Sequence, residues 1–425
     1  MIKIIKEEWG FYGVFLPLLV AVAVIARPGI YLLIPVFYLY WFSQQKHYLI
    51  VLASLIIFVL ADNFRLLPAF TEGRYVVLLL CSFFSVQWLS NIRVISLRWL
   101  YFIPFFLYAL IVSLLYSPVL TESVPRVVSY LLLILNVFVY YKYTFKSQTT
   151  RFVLHFHGLF IIYFAITILS FLFPWHPRLF VLGRFAGLMS NPNGLALISL
   201  SLFIITDYFQ KQVTGKQFTL AWILKAIILV ALVLSGSRNA LASLFIYVFL
   251  SFLFEPRLNS LEVVLSLVFI PVGFLLIDFD LLLQSEVVSN ILRIDTLENA
   301  SGRVEVWEMV MKQIAKEPWW GSGFYYDDFF MNAYLEQANL ANDVVARQFS
   351  GVWNSYLTLL LNVGVAGGCL LMLFLFSLHQ GIELKRLLPF TIALLFSAFF
   401  ESWLASSLNA YSQFFYLYYA IQQRK

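Results

Sequence analysis

Charge is scarce in this chain. Only 12% of its 425 residues are Asp, Glu, Lys or Arg, while 62% are hydrophobic and 19% aromatic; an ordinary soluble domain carries roughly 25% charge. A water-soluble globule is excluded. Cysteine is scarcer still, and Cys81 and Cys369 both lie inside apolar runs, which argues against a disulfide framework or a cysteine metal site. The histidines His47, His155, His157 and His379 fall within helices or at their inner ends and read as structural, and no metal-ligand spacing appears. The net charge of +6 comes without a basic run or a nucleic-acid module, so nucleic acid is not an expected partner and the cations serve to orient the chain in a bilayer. Period-two alternation is missing too, which excludes a membrane barrel.

What the chain has is continuous apolar segments. They predict helices at 11–26, 29–42, 47–61, 75–90, 99–116, 127–143, 152–173, 193–207, 219–235, 240–254, 261–277, 353–378, 387–400 and 403–420. The fold class is therefore an all-α polytopic membrane protein with about 12–14 transmembrane helices, at about 20 residues per crossing. The opening Lys3 and Lys6 superficially resemble a signal peptide, but Glu7, Glu8 and the hydrophobic segments that follow argue for an uncleaved first span.

With a cytoplasmic N-terminus, lysines such as Lys46, Lys142, Lys146, Lys211, Lys216 and Lys385 fall inside, as the positive-inside rule prefers. Both termini are then cytoplasmic. The outer segments carry ten arginines, Arg184, Arg238 and Arg303 among them, and only Lys312 and Lys316. A guanidinium grips phosphate bidentately and keeps its charge when partly desolvated, so outward arginines held against the insertion bias point to an anionic ligand. The plainer alternative is that each snorkels to lipid phosphates or pairs with a nearby acid.

One loop, 278–352, runs without a span and holds twelve of the 22 acids, and a loop of this length is functional or disordered. Its middle reads as ordered. Ser301 is placed to cap a helix beginning near Arg303, Pro318 follows the end, and Arg303, Trp307, Val310 and Ile314 share one stripe. That helix either docks on the membrane domain through Trp307, with Arg303 facing a cavity, or lies amphipathic on the lipid surface. The turn Trp319-Trp320-Gly321-Ser322-Gly323 allows a close backbone approach. Three further outward elements are expected to converge with it. Gly183-Arg184-Phe185 leads to Asn191-Pro192-Asn193-Gly194, where Asn193 is the expected helix cap and the free amides offer an anion site. Ser235-Gly236-Ser237-Arg238-Asn239 puts an arginine in a minimal hairpin. Trp353-Asn354-Ser355-Tyr356 opens a late span, followed by Gly364, Gly367 and Gly368, which suit close helix packing.

Arg184 to Asn193, Ser237-Arg238, Arg303 with Trp307, Pro318 with Gly321 and Gly323, and Asn354-Ser355-Tyr356 with Gly364 and Gly367 together resemble the O-antigen ligase and polymerase superfamily of bacterial envelope polysaccharide assembly. The resemblance covers roughly 180–420. It implies a GT-C-like glycosyltransferase using lipid-linked donors on the outer side of the bacterial cytoplasmic (inner) membrane, with 1–179 as N-terminal transmembrane helices and 180–425 as the ligase/polymerase-like region containing the large extracytoplasmic loop. It further implies undecaprenyl-pyrophosphate-linked glycans and membrane lipids as ligands, flippase and chain-length regulator proteins as partners, and no cofactor or metal. Arg238 and Arg303 match positions that grip the donor pyrophosphate in the ligase branch. That branch has a histidine just before the asparagine of the Asn-Ser-Tyr motif, where this chain has Trp353, so the polymerase branch is the better fit.

The expected substrate-binding residues are Arg238, Arg303, Arg184, Asn193, Asn354 and Tyr356. Three residues are candidates for the base: Glu401, the only acid in the last two predicted spans; Asp327, beside Asp328 after the glycine turn; and His176, the only outward histidine. Burial would raise a carboxyl toward the range of a general base, though Glu401 pairing with an outward arginine is an equal alternative. The expected activity is polymerisation of lipid-linked oligosaccharide repeats. The alternatives are an O-antigen ligase or protein O-oligosaccharyltransferase with the same donor, or a polysaccharide or small-anion transporter, which the lack of internal repeats disfavours.

Overall fold

The computed structural model describes residues 6–63, 67–89, 97–172, 179–181, 184–254, 303–337 and 351–423. Within them the chain is helical almost throughout. A π-helical turn, Gly10–Phe15, leads into α1 (Leu16–Ile25), followed by α2 (Ile30–Ser43), α3 (His47–Ala61), α4 (Pro68–Leu89), α5 (Phe102–Tyr116), α6 (Leu120–Leu135) and α7 (Lys142–Ser170). A two-residue antiparallel pair, β1 (Phe180–Val181) with β2 (Arg184–Phe185), precedes α8 (Pro192–Gln210), α9 (Lys216–Ser235) and α10 (Arg238–Phe254). Further along come α11 (Arg303–Ile314), α12 (Tyr326–Gln337), α13 (Ser355–His379), α14 (Leu384–Ala398) and, last among the described residues, α15 (Ala410–Gln422).

Thirteen of the fourteen predicted spans are occupied by helix; the other, 261–277, lies outside the described residues. Among the described residues six helical runs are long and apolar enough to cross a bilayer: Pro68–Leu89, Arg98–Tyr116, Leu120–Ser170, Pro192–Gln210, Lys216–Ser235 and Ser355–His379. The shorter helices include α3 and α15, in which every residue is buried. Helices apolar on all faces belong inside a bundle, and these two form its centre. The protein is an all-α, multi-pass membrane protein.

Two predicted boundaries are corrected. The spans at 127–143 and 152–173 have no loop between them: α6 continues through a π turn, Asn136–Tyr141, into α7, and the chain bends at Gln148 (φ −133°, ψ 30°). Gln148 is held there by accepting from Tyr48 N (3.0 Å) and donating to Gln45 O (2.6 Å). The last span begins at Ala410 rather than 403, because Asn409 caps α15 through Ser412 N at 2.7 Å. Residues 399–409 are consequently a non-helical passage, largely buried.

At one end of the bundle Lys46 meets Glu8 (2.7 Å), Lys142 donates to Gln423 (3.1 Å), Lys225 pairs with Asp207 (2.9 Å) and Arg386 with Glu383 (3.0 Å). The start of α8, the α9–α10 turn, the start of α13 and the end of α14 lie at the other end, with Arg184, Arg238 and Arg303.

Helices α11 and α12 are docked on α13. Val306, Val310, Met331, Val352 and Leu361 form a second apolar cluster beneath α11 and α12. The glycine turn fixes them to α13, which is broken at Gly364 (φ 63°, ψ −172°). There the freed carbonyls of Leu361 and Asn362 accept from Ser322 N (3.0 Å) and Gly323 N (2.8 Å), while Val365 N and Ala366 N donate to Pro318 O (2.9 Å) and Trp319 O (3.2 Å). A Cβ on Gly321 would stand 2.5 Å from Gly364 N, so the close backbone approach read from this turn is to α13.

Candidate active site

Glu401 lies on the passage 399–409, buried to 7% exposure. Its Oε1 accepts from Arg303 Nη2 (3.1 Å), at the first residue of α11, and from Asn193 Nδ2 (2.8 Å), in the first turn of α8. The same amide of Asn193 turns its oxygen to Arg184 Nη2 (2.9 Å), and Arg184 Nε donates to Ser235 O (3.1 Å) at the end of α9. Arg238 opens α10 three residues further on. Five elements thus meet: the β2 strand, the α8 start, the α9–α10 turn, the α11 start and the 399–409 passage itself. Among the described residues both hydrogen bonds of the Glu401 carboxylate fall on Oε1. Burial pushes the carboxyl above its ordinary range, and Arg303, Asn193 and Arg184 pull it back.

Because 399–409 is not helical, its backbone must be satisfied by other segments. Ser355 Oγ donates to Glu401 O (2.6 Å) and accepts from Leu404 N (3.0 Å); Ser402 Oγ accepts from Asn354 N (3.0 Å) and Thr358 Oγ1 (3.1 Å). Tyr130 OH donates to Leu404 O (2.8 Å), Ser129 bonds Ser407 (2.6 Å), and Arg74 donates to Leu408 O.

The remaining predicted residues are placed as follows. Asn354 caps α13, its Oδ1 accepting from Tyr356 N (2.9 Å) and Leu357 N (3.1 Å), and the Tyr356 hydroxyl is committed to Leu395 O (2.8 Å). Both line an apolar groove of about 970 Å³ with Trp307, Leu395, Phe399 and Phe400, the last adjacent in sequence to Glu401. Trp307 docks α11 by donating to Val352 O (2.9 Å), and Trp353 (φ 52°) presents its ring 5.9 Å from the Arg303 guanidinium. Asp327 is not part of this cluster. It pairs reciprocally with Asn362, N–H to Oδ1 and Nδ2 to Oδ1, both at 3.0 Å, and burial with the adjacent Asp328 raises its carboxyl to about 6. His176 lies outside the described residues. Asn193 is not the cap of α8: Asn191 is, accepting from Gly194 N at 2.7 Å. Pro192 at the first helical position marks that start, and the shift frees Asn193 for Glu401 and Arg184.

Sequence reasoning missed Asp62 and Asn63, which follow α3 and reach the α8 start. Asp62 Oδ2 accepts from Ser190 Oγ (3.0 Å), and Asn63 Nδ2 donates to Leu188 O (2.8 Å). Asp62 is the only acid between Glu8 and Glu72, a signal that an acid beside long apolar runs has a partner.

A multi-pass helical membrane protein with arginines and a buried acid gathered where the α8 start, the α9–α10 turn and the α11 start lie is the class that fold and site define. Residues 223–372 match the family model described as O-Antigen ligase. This part of the chain carries an O-antigen ligase domain, which supports its place in the O-antigen ligase and polymerase superfamily of glycosyltransferase-like enzymes and a role in polysaccharide assembly. No curated protein matches the chain. Arg238, Arg303, Asn354 and Tyr356 fall inside the matched stretch, and Arg184, Asn193 and Glu401 outside it.

Proposed function

We propose that the protein polymerises lipid-linked oligosaccharide repeats on the outer side of the cytoplasmic membrane, transferring a growing glycan from undecaprenyl pyrophosphate to a new lipid-linked repeat. The observation that carries this reading is the buried contact of Glu401 with Arg303 and Asn193, next to a tryptophan where the ligase branch places its histidine. An indole N–H donates only, so Trp353 has no base to offer. Glu401, paired with the arginine that Trp353 faces, has one.

In this reading a hydroxyl of the acceptor sugar attacks the anomeric carbon of the donor glycan. Its proton passes to Glu401, and the bond from the anomeric carbon to the pyrophosphate oxygen breaks. Arg303 and Arg238 hold the departing lipid pyrophosphate, where fixed guanidinium donors stabilise the charge that builds. The groove along Trp307, Tyr356 and Phe399 gives an apolar surface for a polyprenyl chain next to the polar cluster.

Purified protein in bilayers, supplied with its lipid-linked repeat, is expected to produce a ladder of longer lipid-linked glycans without ATP, and Arg238→Ala to reduce it by about 100-fold or more. A wild-type protein that makes no ladder but attaches finished glycan to a lipid or protein acceptor would be a ligase.

A further inference from the structure

We propose that Asp62 is a positioning residue of the active site, fixing the segment Leu188–Asn193 so that the Asn193 side chain stays locked between Glu401 and Arg184. The proposal rests on the functional reading above and extends it to the N-terminal half of the chain, outside the matched stretch 223–372.

The geometry works from two sides of one helix start. On the near side Asn193 is used twice, accepting from Arg184 Nη2 and donating to Glu401 Oε1. Those roles fix which way its amide faces, since reversing it would set donor against donor. On the far side the carboxylate of Asp62 accepts from Ser190 Oγ (3.0 Å), Ser190 N (3.4 Å) and Tyr411 OH (3.5 Å). Asn63 holds the same segment two residues earlier, at Leu188 O. Between the two sides stands Gly194: a Cβ there would come within 2.9 Å of the Tyr411 hydroxyl and 3.0 Å of Asp62 Oδ2. Only glycine lets the acid and the phenol approach the first turn this closely.

The anchor is rigid. Asp62 and Asn63 follow directly on α3, all of whose residues are buried, and Tyr411 belongs to α15, also buried throughout. An ionised carboxyl taken out of water is costly unless donors surround it, and it accepts from all three donors at once, as a neutral amide at this position would not. Asp62 touches none of the groups assigned to the reaction. Its effect reaches Glu401 through Ser190, Asn191 and Asn193, and a displacement of about 1 Å in such a contact is enough to slow a reaction about 100-fold.

The test is a double-mutant cycle on the reconstituted protein, read in kcat and KM for the lipid-linked repeat and in thermal unfolding. Asp62→Asn and Asn193→Ala are each expected to lower kcat about 10- to 100-fold with KM changed less than about threefold, and the double variant to be no slower than Asn193→Ala alone, because both act through one contact. Losses that multiply in the double variant, or a folded Asp62→Asn with wild-type kcat, overturn the proposal. Should Asp62→Asn fail to fold, Ser190→Ala removes a single hydroxyl from the same relay and must show the same non-additivity with Asn193→Ala. If the wild type makes no polymer, the polymerase reading fails. The positioning claim is then judged on unfolding midpoints alone, where a Ser190→Ala effect that persists undiminished beside Asn193→Ala overturns it.

Discussion

Replacing Arg303 by methionine removes a charge and keeps most of its apolar volume. The partner left behind is Glu401, and the side chains of this pair are only 16% and 9% exposed at a separation of 3.1 Å, so solvent screening does not rescue the orphaned carboxylate. Breaking a buried pair on one side costs about 3–5 kcal/mol. Adding Glu401→Gln removes the stranded charge and keeps an acceptor for Asn193, so the double variant is expected to regain most of that loss while remaining inactive. The pH dependence follows from the causes acting on Glu401. Burial raises its carboxyl and Arg303 is the first group that lowers it, so without Arg303 the carboxyl rises further. The Arg303→Met defect in stability is then largest at alkaline pH, where Glu401 must ionise unpaired, and shrinks as pH falls through its raised value and it becomes neutral. Thermal unfolding in detergent across pH 5–9 measures this for wild type, both single variants and the double. A defect that is flat with pH, or equally large in the Glu401→Gln background, would refute the ion pair as what holds Arg303.

Two further outcomes concern the docking of α11 and α12 on α13. Gly364→Ala places a Cβ 2.4 Å from Trp319 carbonyl atoms at φ +63°, costing upwards of about 2 kcal/mol; Gly368→Ala, whose Cβ meets nothing closer than 3.8 Å, is neutral, and unfolding midpoints distinguish the two. Asp327, raised to about 6 by burial and Asp328, opposes folding progressively as pH climbs from its unfolded value near 4 through 6. Asp327→Asn therefore stabilises at pH 7.5, and melting curves should show the gain fading below pH 6 and gone by about pH 4.

Long apolar runs made the helices legible, and the stripe Arg303, Trp307, Val310, Ile314 made α11 legible, because hydrophobic periodicity reports burial directly. The same logic failed at 399–409. Trp403-Leu404-Ala405 is as apolar as a span, and hydropathy cannot separate a buried loop from a buried helix when both exclude water. It failed in the opposite sense at 144–151, where Thr144, Lys146, Gln148 and Arg151 look like a surface loop, yet the chain is helical on both sides of a single bend at Gln148, because polar residues do not oppose helix formation. At the site, the arginines were visible as exceptions to the positive-inside rule, and Glu401 as an acid beside apolar neighbours. Asp62 carried the same kind of signal but lay in the half of the chain that resembles nothing recognisable.

That half has a physical reason to exist which the site supplies. A carboxylate on a regular helix could be held by the helix's own hydrogen bonds, whereas Glu401 sits on irregular backbone among apolar helices, where every unpaired carbonyl is expensive. The partners of that segment come from both halves: Ser355, which bonds its backbone, and Asn354, which bonds the Ser402 hydroxyl, from the start of α13; Arg74 and Tyr130, which bond its carbonyls, and Ser129, which bonds the Ser407 hydroxyl, from α4 and α6. The α8 start on which Asn193 depends is likewise held by Asp62 and Asn63. The N-terminal helices therefore act on the site by fixing the two irregular segments, 188–193 and 399–409, whose meeting brings Asn193 to Glu401. Substitutions at Arg74 or Tyr130 that leave the bundle folded should consequently disturb the Glu401 environment before they disturb Arg303, whose own helix is anchored separately by Trp307 and the glycine turn.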